Sequence, residues 1–180
     1  MIRAAHDPLR PHTATRPVLV LGLGNILLRD EGVGVHVIRE LEKMNLPRDV
    51  ELFDGATAGL DLVEALADRR SVIVVDACDA DVEAGTVMRL QPEDLVPAGR
   101  GLSLHEAGLL EALDATRRLG LGGENVTIIG VRPYVVEWGL EMSAEMAARL
   151  PRLVDAVRQE IESVSGLQRD AVEPVRSEVR

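Results

Sequence analysis

Hydrophobic positions along the chain form short continuous runs that alternate with longer stretches of helical spacing. The continuous runs are typical of strands buried on both faces, because their apolar residues follow one another without polar alternation. We predict five strands, at residues 17–24, 50–53, 71–77, 85–90 and 125–133. The fourth of them is expected at an edge of the sheet.

Four further stretches repeat apolar residues every three or four positions, which predicts amphipathic helices. They lie at 31–44, 58–68, 103–120 and 143–164. The predicted buried positions are Val33, Val37, Ile38, Leu41 and Met44 in the first helix, Leu60, Val63 and Ala67 in the second, and Met146, Leu150, Val154, Val157 and Ile161 in the last. Pro151 should kink the last helix or divide it in two, because proline removes a helical hydrogen bond.

The alternation of strands and helices predicts an α/β fold. We expect a three-layer sandwich in which helices cover both faces of a mostly parallel, twisted, five-stranded sheet. The 180 residues suit one domain with a full core, which we assign to residues 17–165. Residues 1–16 are expected to be a flexible leader without an apolar signal core, and residues 166–180 a flexible polar tail.

Composition and charge narrow the classes of function. The net charge is −10 and aromatic residues make up 2% of the chain, which argues against a nucleic-acid partner. The single cysteine, Cys78, excludes an internal disulfide and a cysteine-based zinc site, and it is compatible with the reducing cytoplasm. No apolar run approaches the roughly 20 residues of a membrane helix. We therefore expect a cytoplasmic protein that does not insert into membranes.

The stretch GLGNILLRDEG, residues 22–32, raises a choice between a phosphate-binding loop and a loop that presents a carboxylate. A dinucleotide fingerprint needs a third glycine where this chain has Leu27, and no Gly-Lys-Ser/Thr ending is present. Asp30 and Glu31 at the start of the helix would also repel a phosphate. The stretch therefore favours a carboxylate at the end of the first strand.

Glu31, Asp76 and His105 come from three separate loops that a parallel sheet places at one rim. Two carboxylates and one imidazole suit a borderline divalent ion such as Zn²⁺ or Ni²⁺, with positions left for water or substrate. Each residue also has a simpler interpretation. Glu31 is a first-turn acid favourable to the helix dipole, Asp76 a loop cap, and His105 a surface histidine. The pattern alone leaves these alternatives open.

Cys78 offers a rival site, a nucleophilic pair with His105. Nothing around Cys78 in the sequence would activate its thiol, and a small buried cysteine is the commoner case, so we rank this pair below the metal site.

The metal interpretation also predicts a pH dependence. Ligation needs a neutral His105, so activity should fall as the pH drops through its titration range.

The chain resembles the maturation endopeptidases of nickel–iron hydrogenases. The similar stretches are VLGLGNILLRDEGVGVHV (20–37), ELFDGATAGLDLVEAL (51–66), IVVDA (73–77), SLHEAGL (103–109) and IIGVRP (128–133). They follow the order found in the family and span most of residues 18–133. The resemblance implies the same α/β fold. It also implies a cytoplasmic endopeptidase that removes the C-terminal extension of a hydrogenase large-subunit precursor after nickel insertion.

The resemblance further implies that Glu31, Asp76 and His105 recognise nickel carried by the substrate, with no permanently bound cofactor. The partner would be the precursor of the hydrogenase large subunit. Asp54 is a candidate helper that positions the cleaved segment or acts as a base, although a turn-forming aspartate is the simpler interpretation. The family's second glycine after this aspartate is Ala56 here, which should stiffen the turn.

Two interpretations from other classes remain beside the protease. The first is a non-enzymatic nickel-binding chaperone for hydrogenase assembly, which would use the same three side chains without cleaving the precursor. The second is an α/β hydrolase acting on small molecules, for which a deep and narrow pocket beside Glu31 would be expected.

Overall fold

The computed structural model describes residues 17–56, 61–95 and 104–171, and a five-stranded sheet runs through its centre. The strands lie in the order β2-β1-β3-β5-β4. Only the β4 edge strand runs antiparallel to its neighbour, which confirms the mostly parallel sheet and the position of the fourth strand. The strands are β1 Val18–Leu23, β2 Val50–Ala56, β3 Ser71–Ala77, β4 Val87–Leu90 and β5 Val126–Val131.

Helices cover both faces of this sheet, so the predicted three-layer sandwich is confirmed. Helices α1 and α4 pack on one face and helices α2 and α3 on the other. Two short 3₁₀ turns, Arg29–Gly32 and Pro92–Leu95, precede α1 and follow β4. The helices are α1 Val33–Leu41, α2 Leu62–Leu66, α3 Leu104–Arg118 and α4 Ala144–Ala171.

The two apolar layers explain why the strand sequences are continuous rather than alternating. In β1, Val18 and Val20 face α1 and α4, whereas Leu19 and Leu21 face α2 and α3. Successive side chains of a strand point to opposite faces, and both faces are covered here, so every residue of β1 is buried.

The first two helices are shorter than the sequence pattern predicted. Helix α1 ends at Leu41, and the chain closes with tighter turns ahead of Pro47, which leaves Met44 41% exposed. In α2 the buried residues are Leu62, Ala65 and Leu66 rather than the predicted set. A helix of five residues takes its orientation from packing against α3, not from its own periodicity. The predicted Leu60 lies outside the described residues.

Helix α4 corrects two expectations. It continues without a break through Pro151, so the predicted division in two is wrong. Pro151 is exposed, while the predicted stripe, from Met146 to Ile161, packs on the sheet, and this packing keeps the chain helical on both sides of the proline. The helical backbone also runs on to Ala171, beyond the predicted domain boundary at 165, because propagation of an existing helix costs little. The predicted leader, 1–16, lies outside the described residues.

None of the helices within the described ranges combines the length and the apolar character needed to cross a lipid bilayer.

Candidate active site

The carboxyl ends of β1 and β3 meet at the point where the strand order reverses. The chain passes from β1 to β2 on one side, and β3 lies on the other side of β1. In open α/β sheets such a point forms a crevice outside the strand ends. Glu31 lies on the 3₁₀ turn after β1, and Asp76 is the penultimate residue of β3. His105 is the second residue of α3.

Two glycines let the turn that carries Glu31 lie close against the strand ends. Gly24 has a φ of +120°, and a Cβ at this residue would overlap the carbonyl oxygen of Glu31. A Cβ on Gly34 would overlap backbone atoms of Leu23 and Val75, so α1 also approaches β1 and β3 at backbone distance. Gly24 and Gly34 therefore allow close backbone packing around Glu31.

We expect Gly24→Ala to shift the Glu31 turn and to lower the free energy of unfolding by at least about 3 kcal/mol, because its φ suits only glycine and the new methyl group meets backbone. Gly120→Ala is the matched control. Gly120 also has a positive φ, +69°, but no atom lies within 4 Å of its added Cβ, so the expected cost is about 1 kcal/mol. Urea denaturation measures both, and equal losses would contradict the close-packing argument.

The structure brings three of the predicted site residues together in a row, with His105 in the middle. Nδ1 of His105 lies 2.8 Å from Oδ2 of Asp76, and Nε2 of His105 lies 3.5 Å from Oε1 of Glu31. Asp76 and His105 are buried, whereas the Glu31 side chain keeps 18% of its exposure. Glu31 is thus the end of the row that is nearest to solvent.

Asp76 fixes the orientation of the imidazole. Its Oδ1 accepts a hydrogen bond of 2.8 Å from the backbone N–H of Ala77, and its Oδ2 accepts from Nδ1 of His105. A neutral His105 therefore carries its proton on Nδ1 and directs the lone pair of Nε2 toward Glu31. Nε2 is buried and makes no hydrogen bond. Its nearest charged group is the Glu31 carboxylate, at ion-pair rather than hydrogen-bond distance, so a ligand that reached this nitrogen would supply the missing bond.

Burial and neighbouring charges shift the pKa values of Asp76 and His105 in this row. Burial raises the pKa of Asp76 to about 6, although its hydrogen bond and charge interaction with His105 oppose the shift. Burial also disfavours the charged imidazole, but the hydrogen bond with Asp76 and the charges of Asp76, Glu31 and Glu106 outweigh it. They raise the pKa of His105 to about 9. At neutral pH the free site therefore holds a proton on His105, which an incoming cation must displace.

The arrangement of Glu31, Asp76 and His105 determines which of them a metal ion could contact. Across residues 17–56, 61–95 and 104–171, no three or more His, Cys, Asp or Glu side chains are arranged to hold a metal ion. Asp76 contacts Nδ1 of His105, while Nε2 and the Glu31 carboxylate face each other. A cation entering from solvent would reach Glu31 and Nε2 first. The assignment of all three as metal ligands stays a prediction.

Asp54 and Cys78 lie near the rim but outside this row. Asp54 is exposed at the end of β2, where its Oδ1 accepts a hydrogen bond of 3.1 Å from the N–H of Ala56. This is the turn role that we gave as the simpler interpretation, and the helper role stays a prediction. Ala56 has a φ of +43°, so alanine occupies a position where glycine is less strained.

Cys78 is buried, and its surroundings disfavour the reactive thiolate form. It packs beside Gly130, and a Cβ on that glycine would lie 2.7 Å from Sγ. Burial, with the charges of Asp76 and Glu106, raises the pKa of the thiol far above its usual range. A thiolate is therefore disfavoured, and the nucleophilic pair with His105 receives no support.

Asp30 has a structural role that the sequence analysis missed. Its fully buried carboxylate accepts hydrogen bonds from the backbone N–H groups of Tyr134 (3.1 Å), Val135 (2.9 Å) and Ser143 (2.7 Å), and from the Ser143 hydroxyl (2.8 Å). The two neighbouring acidic residues therefore have different roles. Asp30 ties the turn to the segment after β5, whereas Glu31 faces the site. Partners more than 100 residues away along the chain left no local signal in the sequence.

A cavity of about 490 Å³ lies elsewhere, at the amino ends of β3 and β5. Its lining includes Ser71, Arg89, Thr127 and Glu160, and none of the three site residues. It therefore offers no support for a small-molecule pocket beside Glu31.

Comparison with known proteins agrees with this fold. Residues 35–160 match the family model for hydrogenase maturation proteases, HycI. The hydrogenase expression/formation protein HupD of Rhizobium leguminosarum bv. viciae is 40% identical over 157 residues, which cover 84% of this chain and 77% of HupD. The hydrogenase 2 maturation protease of Escherichia coli K12 is 35% identical over 161 residues, covering 86% and 98% of the two chains.

A solved structure gives the same result at the level of the fold. The hydrogenase maturating endopeptidase HybD from E. coli superposes with a TM-score of 0.75 at 35% identity, over 82% of this chain and 93% of HybD. Sequence, topology and relatives thus agree across most of the chain. The chain therefore belongs to the hydrogenase maturation protease family and is an endopeptidase.

Proposed function

We propose that this endopeptidase removes the C-terminal extension from the precursor of a nickel–iron hydrogenase large subunit, and that it recognises the nickel which the precursor carries. The observation that carries the proposal is the buried Nε2 of His105, which makes no hydrogen bond and faces the Glu31 carboxylate at 3.5 Å. A metal ion bound to the substrate would give this nitrogen the partner that the protein withholds.

Recognition through a delivered metal explains selectivity for finished precursor. The ion would arrive held by side chains of the precursor, and Glu31 and His105 would supply further ligands, with Asp76 joining the shell or holding the imidazole. Because these bonds form only with the loaded precursor, nickel insertion would raise its affinity above that of the empty form. The protein itself then needs no resident cofactor.

The hydrolytic step needs a polarised carbonyl or an activated water at the cleaved bond. A cation held beside Glu31 supplies either one, because it withdraws charge from a carbonyl oxygen or lowers the pKa of a bound water. Within the protein, Asp76 keeps His105 in one orientation, and Glu31 lies on the solvent side where a substrate segment enters. The reaction would take place in the cytoplasm, where we expect the precursor to be assembled.

Mass spectrometry of the products tests the proposal. The purified protein is incubated with nickel-loaded and with nickel-free precursor. We expect loss of a C-terminal peptide from the loaded form alone. Equal cleavage of both forms would contradict recognition through nickel. Tight nickel uptake by the protein without any cleavage would favour the chaperone instead.

A further inference from the structure

Four large apolar side chains lie exposed on two neighbouring loops beside the active site. Their exposed fractions are 44% for Leu27, 53% for Val136, 80% for Trp138 and 71% for Leu140. We call this set the apolar platform. Trp138 is the only tryptophan of the chain, and large aromatic residues of this kind are usually buried. Contiguous exposed apolar residues commonly mark an interaction site.

Backbone hydrogen bonds join the two loops of the apolar platform into one surface. Leu28 and Gly139 form a parallel β-bridge. The N–H of Gly139 donates to the carbonyl of Leu27 at 2.9 Å, and the N–H of Arg29 donates to the carbonyl of Gly139 at 3.1 Å. Leu27 therefore lies against the segment that carries Trp138 and Leu140.

Side chains of Arg29 and Asp30 also tie the platform to the turn that follows β1. The Arg29 guanidinium donates to the carbonyl of Glu141 at 3.1 Å and to the carboxylate of Glu137 at 2.7 Å. Asp30 binds the same segment through its four buried hydrogen bonds. A surface that is already ordered loses little conformational entropy when a partner docks on it.

The platform is continuous with the active site along the chain. Arg29 and Asp30, which fix the platform, immediately precede Glu31, whose carboxylate faces Nε2 of His105. The N–H of Glu31 also donates to the carbonyl of Leu28 at 3.3 Å, and Leu28 forms the bridge to Gly139, so a substrate bound at Glu31 lies close to the platform. This continuity identifies the occupant as the protein substrate of the same site.

We infer that the apolar platform is a docking surface for the hydrogenase precursor, and that it binds an apolar segment of the precursor bordered by basic side chains. This inference rests on the proposed function, because the occupant is the protein that the site cleaves. The acidic rim of the platform supports the basic border, since Glu141 and Glu145 are exposed on the same segment of the chain and the net charge is −10.

A second copy of this chain is a less suitable occupant. A symmetric dimer through the platform would bring the same acidic rim of both copies together, and like charges across an interface oppose association. The platform also has only four large side chains, whereas stable interfaces bury about 1,200–2,000 Å² in total.

The test compares the double variant Trp138→Ala/Leu140→Ala with the wild type in steady-state cleavage of nickel-loaded precursor. Both side chains are exposed, so the fold should not depend on them. We expect KM to rise at least about tenfold while kcat stays within about twofold, because truncation removes binding that does not change in the reaction. Leu119→Ala is the matched control. Leu119 is 65% exposed just beyond the far end of α3, about 21 Å along the helix from His105.

A second measurement follows binding without cleavage. Growth with 5-fluorotryptophan labels Trp138 alone, so the ¹⁹F spectrum contains one signal from the platform. We expect unlabelled precursor to shift or broaden this signal. An unchanged signal together with an unchanged KM in the double variant would overturn the inference while the proposed function stands. A perturbed signal without nickel-dependent cleavage would overturn the proposed function and leave the docking surface standing. A ¹⁹F signal of the wild type alone that changes with protein concentration would instead indicate that the protein dimerises through Trp138. That result would overturn the inference in favour of self-association.

Discussion

His105→Asn should abolish cleavage of the nickel-loaded precursor, lowering kcat/KM by at least about 10³-fold under conditions in which the variant is folded. The asparagine amide can still donate to Oδ2 of Asp76 in place of Nδ1, but nothing replaces Nε2, the nitrogen that faces Glu31. Under the proposed recognition the variant loses one ligand of the delivered nickel, and with it both binding and catalysis, which supports an effect of this size. Single-turnover cleavage followed by mass spectrometry measures the loss.

The control for this variant is His36→Asn, which also replaces a histidine whose Nε2 is buried without a hydrogen bond. His36 lies on α1, and burial lowers its pKa rather than raising it, so it belongs to a different environment. We expect this variant to keep full activity. Comparable losses in both variants would mean that the imidazole matters only for packing, and the site assignment would then be wrong.

Activity should rise with pH over the range in which the stability of the protein falls. The pKa of His105 is raised to about 9, so Nε2 is protonated at neutral pH, and under the proposed recognition nickel would have to displace that proton. Displacing one proton makes kcat/KM rise about tenfold for each pH unit below this value. Between pH 6.5 and 8.5 we therefore expect a gain of about 100-fold, measured as initial rates at low precursor concentration.

The free energy of unfolding should change with pH in the opposite direction to activity. The pKa of His105 is about 9 in the folded protein, whereas a histidine in the unfolded chain has the ordinary value of 6.5. The folded protein therefore binds this proton more tightly. The resulting stabilisation is complete below about pH 6.5 and is lost as the pH rises through about 9. Urea denaturation should show this decline in the wild type, and His105→Asn should remove it.

The variant Asp76→Asn tests whether the raised pKa of His105 sets the pH dependence of activity. Replacing the Asp76 carboxylate by an amide removes the charge and weakens the hydrogen bond that raise the pKa of His105. The residual activity should therefore begin its rise at a lower pH than in the wild type. A flat activity profile between pH 6.5 and 8.5, or a shift to higher pH in Asp76→Asn, would contradict the proton displacement.

The central part of the fold and the members of the site followed from the sequence for a physical reason. Continuous apolar runs specify strands buried on both faces, and parallel strands connected through helices place their carboxyl ends at one rim. Glu31, Asp76 and His105 follow such ends or face them, so their convergence was predictable without coordinates. The aliphatic strands β1, β3 and β5 were recognised on the same basis.

What the sequence did not predict depends on long-range contacts. The row with His105 between two carboxylates depends on the orientation of side chains from three elements, which spacing does not determine. The role of Asp30 depends on backbone donors at Tyr134, Val135 and Ser143. Helix α4 passes Pro151 because its apolar stripe is packed on the sheet, a tertiary effect that overrides local propensity.

The nickel K-edge X-ray absorption spectrum of loaded precursor tests the central claim most directly. The precursor is mixed with one equivalent of wild-type protein or of His105→Asn and frozen within the first turnover. We predict that wild type adds nitrogen and oxygen scatterers to the first shell of the nickel and that His105→Asn adds fewer. Identical nickel spectra with both proteins, in samples where each is bound, would contradict recognition of the metal by this site.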